Sequence, residues 1–188
     1  MSKYNFKQEE IVLDPKKYIV SKTDLSGVIT YGNDYFVEIS KYDKLDLIGS
    51  PHSVLRHPDM PRVIFKLMWE RIQRGENIIA IVKNLAKDGR YYWVMTDFEV
   101  NMDPFVNKPL SYTAYRKAAA RAAIEAIEPI YKELLEIEKI DGIRGSEEYL
   151  RKFLQSRGQT YDQFVDDITK NRGITKLFFI AMKKLFKK

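Results

Sequence analysis

The side chains best suited to chemistry lie close together in one segment, residues 51–61. This segment places His52, Arg56, His57 and Asp59 among three prolines. Because proline fixes its own φ and restricts the residue before it, these polar groups are predicted to be held rigidly. A helix beginning beside them would offer free N–H groups to an anion, and the planar guanidinium of Arg56 suits a phosphate. The alternative is a surface turn in which Asp59 caps that helix and pairs with Arg56.

The composition limits the chemistry that the chain can perform. Its 188 residues carry a formal net charge of +6 and are 45% hydrophobic, which indicates a folded protein rather than a disordered one. The absence of cysteine excludes disulfides, thiolate metal sites, iron–sulfur clusters and a thiol nucleophile, and two histidines are too few for a histidine-rich metal site. No apolar run approaches the ~18 residues of a membrane-spanning helix, and no signal-peptide core is present. We therefore expect a soluble, cytoplasmic protein.

Strand and helix patterns follow the order β-β-α-α-α-β-β-β over the first two-thirds of the chain. The strands are predicted at Tyr18–Thr23, Val28–Tyr31, Ile78–Leu85, Arg90–Val100 and Leu110–Tyr115, and the helices at Asn33–Ile39, Asp43–Ile48 and Val63–Ile72. The sequence Lys87-Asp88-Gly89 predicts a hairpin between the two long strands. This order predicts an α+β fold, with one antiparallel sheet and its helices on one face.

Beyond Arg116 the composition becomes helical. A coiled-coil-like seam of apolar residues comprises Ala120, Ala123, Ile127, Ile130, Leu134 and Ile137. Its spacing alternates three and four, so residues 117–139 are a candidate homodimer contact. Pro129 is predicted to kink this helix or begin another, and Gly142 and Gly145 to break it. Further helices are predicted at 146–157, 160–171 and 174–187.

The last of these helices is basic and amphipathic. Within residues 173–188 most apolar side chains share one arc, and Lys176, Lys183, Lys184 and Lys187 lie opposite. Such a helix could lie on an anionic membrane surface, dock on a partner helix or cover the protein core. The sequence leaves these three interpretations open.

The segment Arg56-His57-Pro58-Asp59-Met60-Pro61 resembles the signature of PAS domains from Aer-type aerotaxis and energy-taxis sensors. The resemblance includes Leu47-Ile48-Gly49-Ser50-Pro51-His52, Val82-Lys83-Asn84 and Tyr91-Tyr92-Trp93-Val94. It implies a five-stranded PAS sensor domain over residues 17–116. An N-terminal cap segment, 1–16, would precede it, and a helical signalling or interaction extension, 117–188, would follow.

The resemblance also implies a ligand, because members of this family usually bind FAD non-covalently. By analogy, the cofactor-binding residues would be Arg56, His57, Asp59, Asn84, His52, Tyr92 and Trp93. Arg56, His57 and Asp59 would lie at the cofactor mouth, and Asn84 would face the isoalloxazine ring. Alternation along a strand should turn only one of Tyr92 and Trp93 inward.

Three positions depart from the family pattern. Members commonly have Trp, Gly and Arg where this chain has Ile78, Ala80 and Leu85. Ile78 would remove an aromatic wall and Leu85 a phosphate partner, so either change would weaken FAD binding or alter the ligand. Haem with His57 as axial ligand, and a PAS interaction module without flavin, therefore remain alternatives.

The expected function is a PAS redox or energy sensor that reads electron-transport state through FAD. Since the chain has no kinase, cyclase, receiver or methyl-accepting signature, it would signal to a separate membrane-bound transducer, as in the split energy-taxis systems that it resembles. Residues 173–188 are a candidate contact with the inner membrane face. We expect no enzymatic activity, because a nicotinamide-binding glycine motif is missing, and no nucleic-acid binding, because the positive charge is concentrated in the tail.

Overall fold

The computed structural model describes residues 6–169, and its centre is a five-stranded antiparallel sheet. The strands are β1 (Ile19–Thr23), β2 (Ile29–Gly32), β3 (Ile78–Leu85), β4 (Tyr91–Met102) and β5 (Pro109–Ala118). They lie in the order β2-β1-β5-β4-β3, with every neighbouring pair antiparallel. The predicted fold class is confirmed, although β4 and β5 extend beyond their predicted ends.

The helices between β2 and β3 pack against one face of the sheet. They are α1 (Asp34–Ser40), α2 (Lys44–Leu47), a short 3₁₀ helix (His52–Leu55) and α3 (Arg62–Gln73). Helix α1 begins after Asn33 because the Oδ1 atom of that residue accepts a hydrogen bond from the N–H of Phe36 at 3.1 Å. The same oxygen accepts from the N–H of Val20 at 3.0 Å, so one side chain fixes the helix start to β1.

Strand alternation divides the sheet into two chemically different faces. The inner face carries Asn84 of β3, Thr96 of β4 and Arg116 of β5, and Thr96 is directly paired with Arg116. The outer face carries Lys83 and Trp93, which are likewise paired across β3 and β4. A residue's position along a strand therefore decides which face it serves.

Helix α4 (Arg121–Ser156) lies against the outer face. The Tyr131 ring stacks on Trp93 with centroids 6.4 Å apart, and the Tyr131 hydroxyl donates to the carbonyl oxygen of Ile81 at 2.7 Å. The seam residues Ala123, Ile127 and Leu134 are buried within the same chain. A homodimer through residues 117–139 would therefore have to use other side chains of this helix.

One expectation for this helix is confirmed and one is wrong. Helix α4 includes Pro129 without a second helix beginning there, and the chain leaves helical geometry at Gly142, as expected, with φ 66° and ψ −166°. A glycine tolerates this conformation because it has no Cβ. Gly145 lies inside the helix that resumes after the break.

Two segments complete the described structure. Residues 7–11 extend the sheet locally, since the N–H of Ile11 donates to the carbonyl oxygen of Tyr91 at 2.7 Å. Helix α5 (Tyr161–Ile168) begins with a capping box between Thr160 and Gln163. The end of the predicted helix 160–171, the predicted helix 174–187 and the basic segment 173–188 lie outside the described residues. No helix within residues 6–169 is long and apolar enough to cross a bilayer.

Candidate ligand-binding site

A cavity of about 550 Å³ lies between the inner face of the sheet and α3. Its apolar walls include Phe65, Met68 and Trp69 from the helix and Val82, Phe98 and Ala114 from the sheet. Gly27, with φ +85°, allows Trp69 to come close, since a Cβ at this position would lie 2.9 Å from a Trp69 ring carbon. The volume falls in the range of ~300–1,000 Å³ that is typical of small-molecule sites.

The charge of the cavity lining has one sign. Arg56, Arg62, Lys66 and Arg116 line the cavity, and no Asp or Glu is among the described lining residues. A low-dielectric cleft lined by one sign of charge attracts ligands of the opposite sign. The cavity is therefore suited to a ligand that carries negative groups.

Some polar side chains of the cavity lining have no hydrogen-bond partner among residues 6–169. The Asn84 side chain, 5% exposed, forms no hydrogen bond with any residue that the structure describes. The Thr96 hydroxyl is buried and also has no partner within the described part of the chain, although Thr96 lines the cavity. Since buried polar groups are nearly always hydrogen-bonded, these groups are candidates for ligand contacts.

Arg116 lines the cavity, although sequence reasoning did not place it there. Its guanidinium donates to Ser21 Oγ at 2.9 Å and lies 2.7 Å from His52 Nε2. Burial and the charge of Arg116 lower the pKa of His52 to about 3, so the ring is neutral and its nitrogen can accept this hydrogen bond. Burial also lowers the pKa of Arg116 to about 10, which leaves it charged at neutral pH. No motif marks this arginine; its strand register alone could have indicated an inward side chain.

The structure brings three of the predicted site residues together at the cavity: His52, Arg56 and Asn84. Arg56 and Asn84 also form an isolated backbone bridge, which attaches the segment 51–61 to the edge strand β3. Tyr92 is buried on the inner face, and its hydroxyl has no partner among the residues that the structure describes, but Tyr92 is not part of the described lining. Trp93 points to the outer face, as strand alternation requires.

His57 and Asp59 differ from expectation, because they lie outside the cavity. Asp59 binds Lys83 Nζ at 2.6 Å, and Lys83 occupies the outer face beside the Tyr91 ring. The Nδ1 atom of His57 accepts from the N–H of Asp59 at 3.1 Å, and the ring of His57 contacts the edge of Tyr91. These residues clamp the segment 51–61 to β3. Because His57 does not line the cavity, it is not positioned as an axial ligand for haem there.

The three family departures affect the cavity less than the sequence indicated. Leu85 is two residues after Lys83 on β3, so its side chain points to the same outer face. An arginine at this position would therefore not point into the cavity. Ile78 and Ala80 lie on the inner-face register and are buried in the core; neither is a described lining residue, although Ala80 is paired with Thr96 of the lining. None of the three departures therefore contributes a side chain to the described lining.

The two histidines predict acid sensitivity. Burial, followed by the charge of Lys83, lowers the pKa of His57 to about 4, while that of His52 falls to about 3. As the pH falls, the histidines of the unfolded chain bind protons before those of the folded protein. The full contribution of the two neutral histidines to the free energy of unfolding is therefore present above about pH 6.5. It declines as the pH falls towards the pKa values of the folded state. The free energy of unfolding should fall by about 2 kcal/mol between pH 6 and pH 5, as measured by urea titration. Since these are the only histidines, the double variant His52→Gln, His57→Gln should lose most of this dependence; an unchanged slope would contradict the assignment.

Comparison with known proteins agrees with this geometry. Residues 29–105 match the family model described as PAS fold. The aerotaxis receptor of Escherichia coli (strain K12) is 40% identical over 129 residues, which cover 68% of this chain and 25% of the receptor. The biofilm dispersion protein BdlA of Pseudomonas aeruginosa is 29% identical over 72 residues, 38% of this chain and 17% of that protein.

Solved structures support the same fold. A light-oxygen-voltage domain studied with a flavin analogue superposes with a TM-score of 0.53 at 16% identity, covering 62% of this chain and 86% of that one. An RNA-binding light-oxygen-voltage receptor superposes with a TM-score of 0.51 at 13% identity. The superposition covers 65% of this chain and 33% of that one.

The fold and the match over residues 29–105 identify a PAS domain in this chain. Its resemblance to the PAS domains of Aer-type sensors is confirmed, and the chain spans about a quarter of the length of the aerotaxis receptor.

Proposed function

We propose that this chain is a PAS redox sensor that binds FAD in the cavity and signals to a separate membrane-bound transducer. The observation that carries this proposal is the cavity itself, which combines apolar walls, a cationic lining and inward polar groups without partners. The similarity to the aerotaxis receptor supports a role in sensing, and the light-oxygen-voltage fold is compatible with a flavin. We assign no enzymatic activity to the chain.

The lining fits the chemical groups of FAD. Phe65 and Trp69 offer flat apolar surface to the ring, and the Asn84 amide can both donate to and accept from its polar edge. Arg56 would bind the negatively charged pyrophosphate. When bound, FAD supplies a ring that is reversibly reduced by two electrons.

A ligand in the cavity could affect the position of α4 through a contact between α4 and the start of α3. Helix α3 begins after Pro61, whose side chain cannot cap it, and Glu138 of α4 serves instead. The Glu138 carboxylate accepts from the N–H groups of Arg62 at 3.0 Å and Val63 at 2.8 Å. Because Arg62 also lines the cavity, a ligand that shifts the start of α3 must also shift this contact with α4.

The proposed partner would bind the solvent-facing side of α4. The apolar stripe of α4 packs against the sheet. The exposed residues of this helix include Glu125, Lys132, Glu136 and Lys139. A homodimer through residues 117–139 would use the same exposed side. We propose a cytoplasmic location, with residues 173–188 contacting the inner membrane face through their lysines.

A comparison of FAD with riboflavin tests the proposal. Protein stripped of ligand should bind FAD in a one-to-one complex. This binding is measured by the quenching of flavin fluorescence. Riboflavin has the same ring without phosphates, so it should bind at least about tenfold more weakly if the cationic mouth contributes charge-assisted hydrogen bonds. Failure to bind either flavin would overturn the proposal and favour an interaction module on a PAS scaffold.

A further inference from the structure

The outer face of the sheet continues beyond the contact with α4 into a second apolar cluster. One row of paired residues crosses four strands there and consists of Val20, Tyr115, Asp97 and Ile79. Val20, Met95 and Tyr115 form the buried part of this outer cluster, and each is at most 4% exposed. Their described apolar neighbours, Tyr18 and Ile79, belong to β3 or directly precede β1. The cover of this part of the sheet is therefore to be sought beyond residues 6–169.

Two carboxylates lie beside the outer cluster. Asp97 is paired with Tyr115, and Glu99 follows two residues later on the same face, with exposures of 5% and 9%. Burial, followed by the charges of Glu99 and Asp97, raises the pKa of Tyr115 to about 12. Lys117 flanks the pair on β5, and the Lys22 ammonium group lies over an aromatic ring of β2. Apolar side chains with buried carboxylates suit an occupant that is both apolar and basic.

The segment 170–188 has this composition. It carries seven basic residues and no acidic one. In the predicted helical conformation its apolar side chains occupy one arc of about 200°, with Phe178 at the centre. Of the lysines opposite, Lys183 and Lys184 lie nearest to the two edges of this arc. Because lysine stems are long and apolar, such edge lysines can bring their ammonium groups to carboxylates on the surface that the arc covers.

The end of the described chain lies within reach of the outer cluster. Helix α5 contacts β3, and Thr169 directly follows this helix. Three strand spacings of about 4.8 Å separate β3 from β1, which is a distance of about 14 Å. Residues 174–188 would span about 22 Å as a helix. A segment that leaves α5 beside β3 is therefore long enough to cross the outer cluster.

We propose that the segment 170–188 is the cover of the outer cluster. Its apolar arc packs on the cluster, and the lysines at the edges of the arc pair with Asp97 and Glu99. The remaining lysines face solvent, so this docking is compatible with the membrane contact proposed above. It places the basic segment on the same side of the sheet as α4, the proposed binding site of the membrane-bound transducer. The contact does not involve the cavity and is independent of flavin binding.

Hydrogen exchange of the full chain, measured by mass spectrometry, tests this docking. Residues 173–188 should exchange more slowly than a free peptide of the same sequence. Phe178→Asp places a charge at the centre of the apolar arc, so exchange within the segment should become at least about tenfold faster. Ile180→Asp is the matched control, because Ile180 lies outside the arc; it should leave the exchange unchanged. Neither substitution alters residues 6–169.

A second pair of variants tests the surface of the sheet. Asp97→Asn combined with Glu99→Gln removes both charges at nearly constant shape, and exchange within residues 173–188 should become about fivefold faster. Glu133→Gln combined with Glu136→Gln removes two charges from the exposed side of α4 and should have no effect.

Three results would overturn the inference. The first is exchange of residues 173–188 in the wild type at the rate of a free peptide, and the second is equal acceleration by Phe178→Asp and Ile180→Asp. The third is protection that weakens on dilution, which would indicate docking on a second copy of the chain. Titration with FAD separates this inference from the proposed function, since Phe178→Asp should bind FAD as the wild type does. A wild type that bound no FAD would leave the docking result intact.

Discussion

Replacing Ala114 with phenylalanine should abolish flavin binding while leaving the domain folded. Ala114 lies on the inner face of β5 and lines the cavity, paired with Ser21 on one side and Phe98 on the other. A phenyl ring at this position would fill space that the ligand needs. The affinity for FAD should fall at least 100-fold, or about 2.8 kcal/mol, in a fluorescence titration.

The matched control is Ala126→Phe, on the exposed side of α4. It adds the same side chain away from the cavity and should bind FAD as the wild type does. Thermal unfolding of ligand-free Ala114→Phe should remain within a few degrees of the wild type, because the cavity has room for the added ring. If Ala114→Phe bound FAD within threefold of the wild type, the cavity would not be the flavin site.

Of the variants proposed here, Tyr131→Ala should cause the largest loss in the free energy of unfolding. This side chain is 2% exposed, stacks on Trp93 and donates a hydrogen bond to the Ile81 carbonyl. Removal of a buried aromatic ring costs about 3–5 kcal/mol, because the lost contacts leave a cavity. Urea unfolding should therefore show a decrease of this size in the free energy of unfolding.

Tyr131→Phe is the control for the ring without its hydroxyl. It keeps the stacking on Trp93 and loses the hydroxyl that donates to Ile81, so the expected loss is about 1 kcal/mol. Hydrogen exchange should show faster opening of α4 in Tyr131→Ala than in Tyr131→Phe. Equal stability of the wild type and Tyr131→Ala would contradict the docking of α4 on the outer face.

The sequence pattern predicted strand and helix boundaries well where these boundaries depend on neighbouring residues in the sequence. Strand β3 begins and ends at its predicted residues, because Ile78–Leu85 is rich in β-branched residues and is followed by a hairpin turn. Helix α1 begins after Asn33 because the cap is local. Helix α4 includes Pro129, so this proline did not set a helix boundary although it cannot donate the helical hydrogen bond.

The candidate site was less predictable because it depends on which way a side chain points. His57 and Asp59 belong to the same motif as Arg56, yet they bind Lys83 and Tyr91 on the outer side of the edge strand. Arg116 could not be distinguished from an ordinary basic residue near a strand end. Its inward position follows from its register with Thr96 on the inner face of the sheet.

The absorption spectrum of the protein as purified tests the central claim most directly. We expect the two visible and near-ultraviolet bands of oxidised flavin, their bleaching by dithionite, and the release of FAD on heating. A Soret band would instead identify haem. A colourless protein that stays colourless after incubation with FAD would contradict the claim that this cavity makes the chain a flavin-based sensor.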